Sequence, residues 1–275
     1  MSSFISPTDG FSRRLVMQSA SLMVLAPPVF AAKTAMPIST AINRSARFRG
    51  NAQRCAKAYC QLHLKVMPDF SQELLVNVQR QIASGLEALN AAELSGEILP
   101  LLNALRVDNS ALMAGLAVPP SRASVLQVSQ QADKMFFSAN RLVEALRGLS
   151  KQTTAQLINQ CGLIRNRSQR LAKNFFLTAA GIDSKDMRDQ LLSDRVEFLQ
   201  ALDALNKAPI STPAIRSELS QVQLQWVFFE AALNRKADDD SMRKVATSSE
   251  RIHDVGDALT ELYDAVLRDL LGNTR

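Results

Sequence analysis

Apolar residues recur at helical spacing along most of the chain, and breaks between the periodic segments are short. Pro and Gly mark these breaks, as at Met67-Pro68 and Pro119-Pro120, because Pro lacks the N–H that a helix interior needs. No run alternates Val, Ile or Thr with polar residues between turn signals, as a strand would. The pattern predicts an all-α protein, with helical segments at 70–94, 97–116, 121–149, 185–207, 212–235 and 240–271 in addition to two helices described below.

The first 31 residues have the layout of an export signal. Arg13 and Arg14 precede an apolar run from Leu15 to Ala26, and Pro27–Ala31 ends in a small residue suited to cleavage. The Arg-Arg pair resembles a twin-arginine signal. A membrane anchor is the alternative, but a run this short is below the ~20 residues that cross a bilayer. We expect residues 1–31 to be removed and the protein to be periplasmic and soluble.

The three cysteines, Cys55, Cys60 and Cys161, do not form an obvious disulfide pair. Cys55 and Cys60 are five residues apart on one predicted helix, and this spacing points their side chains in different directions. We therefore expect buried thiols.

One segment of the sequence occurs twice. Residues 41–60 and 157–176 align at a constant offset of 116, with seven identical positions that include Asn43/Asn159, Gln53/Gln169 and Arg49/Arg165. Three predicted helices follow each copy. The sequence therefore predicts two tandem up-down four-helix bundles, at 38–149 and 150–271.

The connection between the two modules has no Pro, and its glycines are few. The last helix of the first module is therefore predicted to continue into the first helix of the second, with the two bundles stacked end to end. A kink near Gly148 is the alternative.

Arg49 and Arg165 lie in the middle of the small, apolar face of the first helix of each module. The other arginines of the first copy, Arg44, Arg47 and Arg54, lie on the opposite side. A guanidinium on a packing face requires a carboxylate or an anionic ligand, and its planar fork suits a planar oxyanion.

The same residues resemble a known family of sensor domains. The pattern Ile158-Asn159-Gln160-Cys161-Gly162, Arg165, Ser168-Gln169-Arg170 and Ala172-Lys173 is similar to the first helix of the periplasmic domain in PilJ-type chemotaxis transducers of type IV pili and in NarX-type nitrate/nitrite sensors. The first copy matches less well, with Ser45-Ala46 for Ala-Gly and Gly50-Asn51 after its arginine. The resemblance implies a four-helix bundle that forms a homodimer through this helix.

The resemblance also implies a role for Arg49 and Arg165, namely holding nitrate or nitrite. The repeated polar residues Asn43, Gln53, Asn159 and Gln169 are expected to support them. Since the sequence ends at Arg275 without a kinase or methyl-accepting region, we expect a ligand-binding module that signals through a membrane receptor or kinase.

Other functional classes lack support in the sequence. There is no haem, zinc, di-iron or hydrolase motif, and the two histidines, His63 and His253, stand at unrelated positions of the two modules. We therefore expect no enzyme activity, no metal and no cofactor. The net charge of +6 indicates an anionic ligand, since no nucleic-acid-binding motif accompanies it.

A structural or interaction rod in the cell envelope is the alternative function. In that case internal carboxylates would reach both Arg49 and Arg165.

Overall fold

The computed structural model describes residues 36–92, 94–149 and 154–272, which form eight helices and no strand. The predicted export signal lies outside the described residues. The all-α prediction is confirmed, and the predicted segments agree with the helices to within about three residues. The helices are α1 (Ile38–His63), α2 (Pro68–Ala91), α3 (Leu99–Leu116), α4 (Arg122–Leu149), α5 (Thr154–Ala179), α6 (Lys185–Asn206), α7 (Pro213–Leu233) and α8 (Asp239–Gly272).

The helix ends follow local chemistry. Ser184 and Thr212 cap α6 and α7, because their hydroxyls accept hydrogen bonds from backbone N–H groups three residues later. The turns after α1 and α5 correspond: Lys65 and Gly181 both have positive φ, 58° and 71°, and stand 116 residues apart. A left-handed residue ends a helix by turning the chain back on its last carbonyls, and glycine adopts it without strain.

Helix α1 lies at the centre of the fold, packed against α2, α4 and α5. Side chains from α4 join α1 in antiparallel order, with Gln53 reaching Ala132 and Tyr59 reaching Ser124. Helix α5 runs parallel to α1, since Lys57 reaches Gln169 and a Cβ on Gly50 would lie 3.8 Å from the Cα of Asn166.

The prediction of bundles stacked end to end around one continuous helix is therefore wrong. Helices α4 and α5 run in opposite directions along α1, so they cannot form a straight rod. The cause lies in the small residues of α1 and α5. Ala46 and Gly162 face each other, and a Cβ on Gly162 would lie 3.7 Å from that of Ala46. The lack of bulk lets the two helices lie side by side.

The same packing corrects the expected homodimer. The helix faces that the sequence predicts for pairing with a second copy are occupied inside one chain, α1 against α5. On the opposite side of α1, Arg54 is also buried, at 6% exposure, whereas Arg47 keeps a side chain that is 41% exposed. Among the described residues, no helix combines the length and apolar character needed to span a bilayer.

The cysteine prediction is confirmed: Cys55, Cys60 and Cys161 are buried free thiols. Burial raises the pKa of each to about 12, so they remain protonated at neutral pH.

Candidate functional site

Arg49 lies buried in the seam between α1, α4 and α5. It is 2% exposed, and its two terminal nitrogens donate to amide oxygens, Nη1 to Asn140 Oδ1 and Nη2 to Asn159 Oδ1, at 3.1 Å each. Its Nε has no hydrogen-bond partner, and no described carboxylate oxygen lies within 4 Å of the guanidinium. Burial, together with the nearby Arg167 and Arg165, lowers the pKa of Arg49 to about 9. The group still carries its charge at neutral pH, and the carboxylate that favours the charge, that of Glu144, is more than 4 Å away.

Arg165 occupies the corresponding place on α5, and its environment differs in one respect. Its Nη1 donates to Asp257 on α8, while its Nη2 is buried without a partner. Burial raises the pKa of the Asp257 carboxyl, but Arg165, His253 and Arg47 together outweigh this and hold the pKa below its ordinary value. One of the two predicted arginines therefore has a carboxylate, and the other does not.

The two guanidinium groups converge on Gly162. A Cβ at this position would lie 2.9 Å from Nη2 of Arg49 and 3.8 Å from Nη2 of Arg165. Two like charges this close in a buried seam repel each other more strongly than they would in water. The arrangement has N–H donors without partners, Arg49 Nε and Arg165 Nη2, and of the two cations only Arg165 has a described carboxylate within 4 Å.

The polar residues expected to support the arginines take two different roles. Asn159 accepts from Arg49, as described, but the side-chain oxygen of its counterpart Asn43 has no partner. Gln53 donates to Asp133 Oδ1 at 3.1 Å, and Gln169 donates to the backbone oxygen of Ser249 at 2.8 Å. The two glutamines therefore join the first helices to α4 and α8 and do not contact the arginines.

A second polar layer lies further along the seam and links the two halves of the chain. Lys57 Nζ lies 2.5 Å from Glu250 and 2.9 Å from Ser249 on α8, and Lys173 Nζ lies 2.6 Å from Asp133 on α4. Ser249 and Asp133 stand 116 residues apart, as the two lysines do. Each first helix therefore reaches the last helix of the other half, as paired subunits do in a symmetric dimer.

Sequence reasoning identified the repeated cations but missed their acidic and amide partners. Asn140, Asp257, Asp133 and Glu250 lie on α4 and α8, outside the repeated segment, and no sequence feature distinguishes them from surface residues of those helices. The repeated lysines, Lys57 and Lys173, were the available signal, since a cation retained in both copies of a packing helix requires a partner.

The fold and this seam define a helical bundle protein with buried, partly unpaired cations between α1 and α5. Residues 149–252 match the family described as the N-terminal domain of type IV pili methyl-accepting chemotaxis transducers. The matched range includes α5, α6, α7 and the first part of α8, and hence Arg165, Asn159 and Gln169. No curated protein and no solved structure matches the chain.

Proposed function

We propose that the protein is an exported, non-enzymatic sensory module that binds a small oxyanion, nitrate or nitrite, between Arg49 and Arg165. Residues 38–149 and 150–271 are two copies of one module, and their first helices make within one chain the contact that separate sensor subunits make in a dimer. The matched family is one of sensory domains that signal in chemotaxis. The module reports to a membrane receptor or kinase from the periplasm.

The observation that carries the proposal is the buried Arg49 without a carboxylate. A buried cation that has only neutral amide partners is costly, because its hydration is lost and no opposite charge replaces it. An oxyanion beside Gly162 would supply that charge, accept from Arg49 Nε and Arg165 Nη2, and reduce the repulsion between the two guanidinium groups. Its planar oxygens match the planar donors of arginine.

The second candidate is the structural rod, and the Arg165–Asp257 pair favours it. This pair satisfies one arginine internally, as that alternative requires. The absence of a carboxylate at Arg49 among the described residues favours the anion.

Calorimetric titration with nitrate, nitrite and acetate tests the proposal, using the chain from Ala32 onward and the variants Arg49→Lys and Gly162→Ala. Lysine keeps the charge but cannot present the fork, and the Ala methyl group would displace Nη2 of Arg49. Charge-assisted hydrogen bonds of about 1.5–3 kcal/mol are at stake, so nitrate binding should weaken roughly ten- to a hundredfold.

Arg106→Lys is the matched control, because Arg106 is an exposed arginine of α3 whose guanidinium donates to Asn103 and to no other described residue. Its nitrate affinity should equal that of the wild type. If the wild type binds none of the three anions, or if the control weakens binding as much as Arg49→Lys, the oxyanion proposal is wrong and the rod remains.

A further inference from the structure

A second basic region lies beside the Arg49–Arg165 seam, in a pocket between α1, α2 and α8 that shares Asp257 with it. Its volume is about 500 Å³, within the range of small-molecule sites. Polar side chains form most of the wall, and Phe48 and Gly85 form an apolar part of it. The lining residues that matter here are Asn43, Arg44, Arg47, Asn51, Arg80, His253 and Asp257.

The pocket carries more positive than negative charge. Arg44 and Arg80 have no described carboxylate within 4 Å, and the one hydrogen bond of the Arg80 guanidinium goes to Asn77, three residues earlier on α2. Arg47 lies 3.7 Å from two carboxylates of α8, those of Asp257, whose stronger partner is Arg165, and of the exposed Glu261. The pocket wall itself therefore has three arginines and one carboxylate, Asp257, which is already shared.

Several polar groups of this pocket are buried without partners. The Nε of Arg44 and the Oδ1 of Asn43 are inaccessible to solvent and form no hydrogen bond. Asn51 is 4% exposed and forms no side-chain hydrogen bond with any described residue. His253, 5% exposed, has its Nδ1 3.6 Å from the nearest carboxylate oxygen, which is beyond hydrogen-bond distance. Buried donors and acceptors normally have partners, so these groups are available to hydrogen-bond a ligand.

The second half of the chain provides an internal comparison. The positions 116 residues after Arg44, Arg47 and Arg80 hold Gln160, Leu163 and Val196. The three arginines are therefore not required for the helices of such a half to pack.

The electrostatics of the second half differ as well. Asn51 and Gln81 correspond to Arg167 and Glu197, which form an ion pair with each other, and the Arg167 guanidinium also lies over the ring of Phe136. The region corresponding to the pocket is thus neutralised by its own residues, whereas the first half leaves its cations unbalanced.

We propose that this pocket binds a small anion with two or more acidic groups, carboxylates or phosphates, separately from the oxyanion between Arg49 and Arg165. Arg44 and Arg47 lie one helical turn apart on α1, and Arg80 faces them from α2, so separated acidic groups can be bound at once. Asn51 and Asn43 supply neutral hydrogen-bonding groups beside the cations. The inference does not depend on nitrate binding.

Citrate and pyrophosphate are the probes, and they distinguish a polycarboxylate from a phosphate ligand. Their binding to the wild type is measured by calorimetry and by the shift in melting temperature. Arg44→Gln and Arg80→Val introduce the residues that stand at the corresponding positions of the second half, so both should fold. Each should weaken binding of the preferred probe tenfold or more, while Arg106→Gln, the matched control on α3, should leave it unchanged.

The Arg49→Lys variant separates the two sites, because it should retain the affinity for the preferred probe. Failure of both probes to bind the wild type would overturn the inference. Equal binding by the wild type, Arg44→Gln and Arg80→Val would also overturn it, and so would a loss in Arg106→Gln as large as in Arg44→Gln.

Discussion

Replacing Arg49 and Arg165 by methionine, one at a time, should change stability by different amounts in the absence of ligand. Methionine is unbranched and favours helix, so it can fill either position without disturbing the backbone. Only Arg165 has a carboxylate partner, Asp257. The comparison therefore separates a paired from an unpaired buried cation on equivalent helices.

For Arg49→Met, two opposing effects nearly cancel. The variant loses hydrogen bonds to the amide oxygens of Asn140 and Asn159, worth about 1.5–3 kcal/mol each for a charged donor. It also removes a buried charge, whose desolvation costs several kcal/mol. Both asparagines are half-buried, so water can reach their oxygens once the arginine is gone. We expect a change within about 1 kcal/mol of zero.

For Arg165→Met, the Asp257 carboxylate loses its closest cation. Breaking a fully buried pair costs about 3–5 kcal/mol, but the Asp257 side chain is 30% exposed and Arg47 remains 3.7 Å away. We therefore expect a loss of about 1–2 kcal/mol, which lowers the melting temperature by roughly 2–8 °C for a chain of this size.

The assay is thermal unfolding followed by circular dichroism at 222 nm, in a buffer without nitrate, citrate or phosphate. Arg106→Met, an exposed arginine, is the control and should melt with the wild type. If Arg49→Met is destabilised as much as Arg165→Met, Arg49 has a partner of equal strength, and the reasoning from its unbalanced charge fails.

Two further predictions concern the helix packing around α1. Burial raises the pKa of Glu250, but the neighbouring cations Lys57 and Arg54 together outweigh this, and the pKa ends below its ordinary value of 4.5. The stability that the ionised carboxylate contributes is therefore complete above about pH 4.5 and is lost as the pH falls further. Urea unfolding at pH 7 and pH 3 should show a smaller decrease in the free energy of unfolding at the lower pH for Glu250→Gln than for the wild type. In Gly85→Ala the new Cβ would lie 2.9 Å from the ring of Phe48. The resulting overpacking, about 1–3 kcal/mol, should exceed the ~1 kcal/mol gain in helix propensity, so the variant should be less stable than the wild type. Gly148→Ala, with open space around the new Cβ, should not lose stability, and equal urea midpoints for the two alanine variants would contradict this prediction.

The helices could be predicted from the sequence because their signals are local. Periodic apolar residues and the caps at Ser184 and Thr212 depend on neighbours a few positions away. The packing order of the helices could not be predicted in the same way. Whether α5 continues α4 or folds back beside α1 depends on contacts such as that between Gly50 and Asn166, which are distant in sequence.

The candidate site could likewise be predicted from the sequence only in part. The repeat identified Arg49 and Arg165 as cations on a packing face, and their convergence follows once α1 and α5 pair. Their unequal partners could not be foreseen, because Asp257 and Asn140 lie on helices whose exposed faces also carry charged and polar side chains. The aromatic residues of α7 also divide between core and surface: Trp226 and Phe229 are buried, whereas Phe228 is 55% exposed. Three aromatic residues within four positions of a helix cannot all face inwards.

Helices α1 and α5 pair inside one polypeptide, so a site between them does not depend on the association of two subunits. A site shared by two separate subunits exists only while the subunits are associated, so dilution destroys it. In a single chain the two helices are covalently connected, so their contact is intramolecular and has a fixed effective concentration. In a homodimer the two arginines would be the same residue of two identical chains, with the same neighbours. In this chain they are two different residues, and Arg165 pairs with Asp257 while Arg49 does not. A tethered pair can therefore hold an asymmetric ligand in one orientation, which two identical halves cannot do.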